Sequence, residues 1–266
     1  MTVPASATRP VVRVALGMAV ALLAMAASAQ SAPEARSVAI PEQPTRTTGY
    51  AYTRDGEQLI YTEQHTFSYD DQGRLTTHAV DYVSSAGDVW AVKSLDYRKN
   101  AYAPDFKLED QRSTYVEGGE LLDDEYRLFR VRDDKPGDKT IDMNEDTIVD
   151  AGFDTYVRAN LDALREGKVG TIELAVPSSL IRLKFRIKPL GDEELFGLSA
   201  TRFRVEPASL LRLIADAIDI TYDRASGRLL RYEGLTNIRD AEGKRYDARI
   251  DFPPDEYRVE RGNAGA

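Results

Sequence analysis

In this 266-residue chain the residues whose types and spacing invite chemistry are two histidines, two dense carboxylate clusters and one stripe of cations. His65 and His78 flank the turn Asp70-Asp71-Gln72-Gly73, so a shared metal is the first chemistry to test. Asp at the first position and Gly at the fourth predict a type I turn with a glycine bulge. That turn sets Asp70 opposite Arg74, His65 opposite Ala79 and His78 opposite Thr66. The imidazoles then point to opposite faces of the sheet, whereas a two-residue loop would bring them together. Two ligands without a third fall short of the usual zinc set, and no metal or other cofactor is expected.

Carboxylates crowd at Asp123-Asp124-Glu125 and at Asp192-Glu193-Glu194. Two carboxyl groups about 5 to 9.5 Å apart can hydrolyse a glycosidic bond, which makes a hydrolase of envelope polysaccharide one reading. Solvated acidic surface beside turns is the plainer one. Two histidines in the whole chain also leave most hydrolytic mechanisms without their usual base, and the chain is expected not to be an enzyme.

The cations form a pattern. Arg182, Lys184, Arg186 and Lys188 alternate with Ile181, Leu183, Phe185 and Ile187, and Arg202 and Arg204 alternate with Phe203 and Val205. On neighbouring strands these six cations share one face, which attracts an anionic head group, an acidic polysaccharide or an acidic partner. Alternatively, Asp and Glu of adjacent strands pair across them.

These residues need a scaffold, and the turn signals describe it. Ser84-Ser85-Ala86-Gly87 and Asp240-Ala241-Glu242-Gly243 repeat the Asp/Ser-first, Gly-fourth device, Glu117-Gly118-Gly119-Glu120 reads as a two-glycine hairpin, and Asp223 to Gly227 is a longer turn. Alternating strands are predicted near 57–70, 74–84, 88–98, 106–117, 120–132, 170–176, 181–189, 200–206, 217–223, 228–238 and 244–252. One long helix, about 147–166, places Val149, Phe153, Tyr156, Val157, Leu161 and Leu164 on an apolar stripe, with Asp150, Asp154, Arg158, Asp162 and Arg165 opposite and Gly167 ending it. Asn160 interrupts that stripe, either to contact a ligand or to bond a sheet-edge backbone group. A short second helix is predicted at about 208–215. An open sheet cannot bury itself, so the expected fold is mainly β (α+β), a large curved antiparallel sheet or half-barrel wrapped around one long amphipathic helix.

The chain begins with a secretory signal. Arg9 and Arg13 precede the small-apolar run from Val14 to Ala27, and Ala27-Ser28-Ala29 supplies a cleavage site after Ala29. The run is too short and alanine-rich to be preferred as a membrane span. Cleavage removes both arginines and takes the formal charge from −9 to −11, which argues against nucleic acid as a partner. Absence of cysteine excludes a lipid-anchored form and disulfide stabilisation. A flexible leader is expected at 30–46, a single β-rich domain at 47–252 and a disordered tail at 253–266, in a soluble protein of the periplasm.

Within that domain, the segment from Lys188-Pro189-Leu190-Gly191 through Ala200-Thr201-Arg202-Phe203-Arg204-Val205-Glu206-Pro207, followed by Ile220-Thr221-Tyr222-Asp223 and Gly227-Arg228-Leu229-Leu230-Arg231, resembles the middle hairpins of the LolA/LolB and RseB-like periplasmic superfamily. The resemblance spans residues 185–235. It implies an antiparallel half-barrel closed by helices around an apolar cavity, and a carrier or sensor of lipids or lipoproteins. The expectation is a non-catalytic periplasmic binding or carrier protein for an apolar or amphiphilic ligand or an envelope protein. Arg182, Lys184, Arg186, Arg202 and Arg204 would meet the charged part of that ligand, and Phe153, Tyr156, Asn160, Phe185 and Phe203 the rest. A purely structural interaction module, with a solid core, is the third reading.

Overall fold

Three turns built to one pattern show how the chain is laid out. Asp70 Oδ1 accepts the amides of Gln72 and Arg74, Ser84 Oγ those of Ala86 and Asp88, and Asp240 Oδ1 those of Glu242 and Lys244. Each turn closes with the glycine amide on the first residue's carbonyl, the glycines at φ 73°, 94° and 76°. A side-chain acceptor at the first position and a left-handed glycine at the fourth turn the chain back on itself.

The computed structural model describes residues 43–168, 171–208 and 217–259. The expected signal segment, most of the expected leader and the helix expected at about 208–215 lie outside them, save for residue 208 itself. Strands β1 (Arg46–Thr53), β2 (Leu59–Tyr69), β3 (Leu75–Ser84), β4 (Val89–Asp96), β5 (Asp105–Asp110), β6 (Val116–Leu122), β7 (Glu125–Arg132) and β8 (Lys135–Asp142) step in order from the middle of one sheet to an edge. At the other edge the sequence resumes with β9 (Thr147–Val149), β10 (Thr171–Val176), β11 (Ile181–Leu195), β12 (Leu198–Pro207), β13 (Ile218–Asp223), β14 (Leu229–Arg239) and β15 (Arg245–Asp251). There β15 pairs with β1, completing a curved, open sheet of fifteen strands. Neighbours are antiparallel except β9 and β10. The mainly β, half-barrel expectation is met.

Curvature brings the two ends of the sheet together. Tyr126, Leu128 and Ile141 of β7 and β8 share a buried cluster with Val149 and Ala175 of β9 and β10, and Arg182 donates to the Asp142 carbonyl at 2.6 Å. No helix among the described residues is long and apolar enough to cross a membrane.

The helical insert differs from the expected single helix. Residues 147–149 are strand, α1 covers Gly152–Ala159 and α2 covers Leu161–Arg165. Asn160 separates them. At φ −116° it leaves the helical region, and its own amide and side chain bond back to the Tyr156 carbonyl at 3.1 and 2.9 Å rather than to a sheet edge. Gly152 is required at the start of α1, because a Cβ there would lie 2.1 Å from the Tyr102 carbonyl oxygen.

Two further expectations are corrected. Gly118 and Gly119 lie inside β6, not in a hairpin, and rings explain them: a Cβ would fall 2.4 Å from Phe129 on Gly118 and 2.2 Å from Tyr126 on Gly119. The chain turns instead at residues 111–115 and at Asp123-Asp124. Residues 253–259, assigned to a disordered tail, are packed: Tyr257 donates to the Leu229 carbonyl at 2.6 Å and Arg258 bridges to Arg46.

Candidate functional site

A strand with one wet face should carry apolar residues in one phase, and three strands here break that rule inside the core. In β2 the buried phase reads Tyr61, Glu63, His65, in β4 Ala91, Lys93, Leu95, and in β6 Glu117 faces Leu108. A buried charge survives only when paired.

Lys93 Nζ bonds Asp150 Oδ1 at 2.8 Å and Oδ2 at 3.1 Å. Burial alone would lower the lysine, but the Asp150 carboxylate outweighs it and holds the ammonium above its ordinary range. Asn237 of β14 donates to Asp150 Oδ2 at 3.0 Å, so one carboxylate joins β4, the start of α1 and β14. Asp150, assigned to the wet face of a helix, is thus a core residue, held at φ 45°. Glu117 accepts the Tyr115 hydroxyl at 2.6 Å. Burial pushes the Glu117 carboxyl up, and burial with that carboxylate pushes Tyr115 to about 12.

The two histidines meet on this same face. His65 Nδ1 lies 2.8 Å from His78 Nε2, and His65 Nε2 lies 3.1 Å from Glu63 Oε2. The expectation of opposite faces is overturned by one residue. At the turn the register is as predicted, Tyr69 opposite Leu75, but Ser68 then pairs with Thr77, leaving Thr76 as a bulge whose hydroxyl bonds the Ser68 carbonyl at 3.0 Å. A single extra residue moves every later side chain of β3 to the other face, so His78 faces Phe67 and His65 faces Val80.

The six cations do share one face, and carboxylates interleave with them. Arg182 and Lys184 reach Glu173 at 3.1 and 3.4 Å; Arg186 and Lys188 both bond Glu206. Arg202 bonds Asp219 and Glu233 at 2.7 and 2.8 Å, and Arg204 bonds Asp219 at 2.8 Å. Phe153, Tyr156, Phe185 and Phe203 are brought together on the opposite side, in the cluster of Ile148, Val157, Leu164 and Tyr222. Phe203 is fully buried and Asn160 closes a helix. Cations and aromatics therefore belong to two separate faces.

Two depressions open on the surface. One of about 460 Å³ lies between α2 and the β11–β12 hairpin, where Asp192 accepts from Thr201 at 2.6 Å and pairs with Arg224 at 2.7 Å. The other, of about 530 Å³, is a saddle on the outside of β2 to β7. Thr66, Ser68, Thr77, Ala79, Ser94 and Phe129 line it together with the charged side chains of Asp96, Asp105, Lys107 and Glu120. Asp96 and Asp105 are direct cross-strand partners. Arg98 holds the Asp96 carboxyl below its ordinary value, while Asp105 accepts the Leu121 amide at 2.6 Å and pairs with Lys99 at 2.8 Å.

No family model matches the chain, and no curated protein matches it. Among solved structures, the chain is similar to a β-barrel-like protein of domain of unknown function DUF1849 from Brucella abortus, at 8% identity and a TM-score of 0.47, over 80% of this chain and 99% of that one. It is also similar to a domain assigned as an outer membrane lipoprotein-sorting protein from Vibrio parahaemolyticus, at 8% identity and a TM-score of 0.23, over 78% and 81%.

Proposed function

We propose that the protein is a non-catalytic binding protein of the bacterial envelope, exported to the periplasm, that engages an envelope protein through the outside of its sheet. The observation that carries this is where space is found. Among the described residues, the side chains expected to line an apolar cavity pack against one another, while the 530 Å³ saddle on the outer face is open. Its lining mixes the hydroxyls of Thr66, Ser68, Thr77 and Ser94 with apolar surface from Ala79 and Phe129, and charged side chains stand among them, the mixed character of a polypeptide-binding surface.

Carboxylate-dependent hydrolysis draws less support from the saddle. That chemistry needs one carboxyl free to act as general acid, whereas Asp96 is held low by Arg98 and Asp105 is already engaged by Lys99 and by the Leu121 amide.

The test places a photo-crosslinking residue at Ser94 in cells, with Ala79→Arg as the blocked variant. Adducts to one envelope protein, lost in Ala79→Arg, are expected, with no saturable uptake of a fluorescent fatty-acyl probe by the purified protein. Saturable probe uptake unaffected by Ala79→Arg would overturn the reading in favour of an internal carrier. Polysaccharide turnover abolished by Asp96→Asn or Asp105→Asn would overturn it in favour of an enzyme.

A further inference from the structure

Both histidines of the chain are in contact with each other, inside the core, and the contact has a proton limit. A 2.8 Å N···N contact needs one donor and one acceptor. Glu63, as the acceptor at His65 Nε2, fixes a hydrogen there. His65 then either accepts at Nδ1 from His78, with both rings neutral, or carries a second hydrogen and donates to a neutral His78. When both rings are cations, two N–H groups point at one another and the contact cannot form.

The surroundings offer the second proton little help. Phe67 stacks on His78 with ring centroids 4.4 Å apart, Phe252 meets His65 edge-on at 5.6 Å, and Leu95 of β4 lies opposite His78. The charged groups facing the pair are Glu63, already engaged with His65, and Lys93, whose ammonium is bound to Asp150 and repels a further cation. Glu117 lies beyond Lys93. Burial, then His65 and Lys93, push His78 well below its ordinary value.

We propose that His65 and His78 form an acid-sensitive latch on the β2–β3 hairpin: the pair is stable with at most one extra proton, and a second proton releases the hairpin from the core. An imidazole depressed in the folded state binds its proton only on opening, so the latch is fully closed above about pH 6.5 and weakens as pH falls below it. Each pH unit below that value raises the open fraction about tenfold, until the folded value is reached. Glu117 cannot mimic this. Its carboxyl is raised, so its contribution is lost as pH rises.

The experiment follows β2 and β3 amide hydrogen exchange in the full protein from pH 7.5 to 5.0, corrected for intrinsic rates, with β13 and β14 as the internal reference, together with ¹⁵N imidazole spectra. Expected are two coupled imidazoles, one resisting protonation well below the ordinary imidazole range, and about tenfold loss of β2–β3 protection per pH unit while the reference holds. His78→Gln keeps a hydrogen-bonding group without the titration and is expected to flatten the pH dependence. Two imidazoles that titrate independently near pH 6.5, or β2–β3 protection that tracks the reference at every pH, would overturn the latch. The wild-type spectra decide the question even if His78→Gln does not fold.

Discussion

Lys93 Nζ and Asp150 Oδ1 stand 2.8 Å apart with 8% and 7% of their side chains exposed, joining the centre of β4 to the segment that leads into α1, two residues before Gly152. The helical insert is thus anchored to the sheet by charge as well as by the apolar packing of Val157 and Leu164. Removing one partner leaves the other charge buried. Asp150→Ala is expected to cost about 3–5 kcal/mol in urea unfolding, and Lys93→Met with Asp150→Asn to recover most of it. A cost under about 1 kcal/mol for Asp150→Ala would show that the pair does not hold the insert.

Gly119 is kept by Tyr126, whose ring covers it and whose hydroxyl donates to the Pro104 carbonyl at 2.6 Å. Gly119→Ala forces the buried ring to move and is expected to lower stability by about 1–3 kcal/mol. The check is a thermal unfolding midpoint beside that of Gly87→Ala. Gly87 has nothing within 4 Å, so its cost is backbone strain alone.

On the outer face Asp219 is nearly buried, at 4%, beneath Arg202 and Arg204. Burial pushes its carboxyl up, but the hydrogen bonds from Arg204 and Arg202 outweigh burial and leave it below 3.8. A carboxyl depressed in the folded state stabilises above its unfolded value, and that contribution is lost as pH falls through the folded one. Asp219→Asn is expected to cost about 1–3 kcal/mol at neutral pH and to flatten the loss of stability below about pH 4, read from urea midpoints between pH 7 and 2.

The β11–β12 hairpin turns on Phe196 at φ 54° and Gly197 at φ 74°. The β7–β8 turn meets the same demand with Asp133 and Asp134, residues that tolerate the left-handed region. Phe196 is 40% exposed, with the Arg231 guanidinium 5.8 Å from its ring. Phe196→Asn is expected to raise stability by about 1 kcal/mol, as the strain relieved exceeds one exposed cation–π contact. A lower unfolding midpoint would mean that the ring contributes more than the turn loses.

Turns written in side-chain chemistry were legible: Asp70, Ser84 and Asp240 each announced their hairpin, and period-two alternation located most strands. β8 was not, because Lys135-Pro136-Gly137-Asp138-Lys139 has no apolar phase, and within the sheet the strand pairs with β7. β9 was lost because Thr147-Ile148-Val149 fits the apolar period of the helix that follows. The core charges left a faint sign in Lys93, a lysine in the apolar phase of Ala91 and Leu95. The histidine contact left none, since Thr76 bulges without glycine or proline to mark it. Asp150 looked helical because period alone cannot tell a residue before a helix from a residue on its wet side.

Strand order has a consequence for how the chain can be cut and rejoined. The first and last strands, β1 and β15, are partners in the middle of the sheet, and the two edge strands, β8 and β9, are consecutive in sequence. Linking the region of Arg46 to that of Arg258, which already bridge, and opening the chain within 143–146 gives a circular permutant in which every strand pairs with its sequence neighbours from one edge to the other. In the natural order, among the described strands, the two halves of the chain pair through β1 and β15, next to the Arg46–Arg258 bridge, so closure of that pairing over about 200 residues is the step the permutant removes from folding.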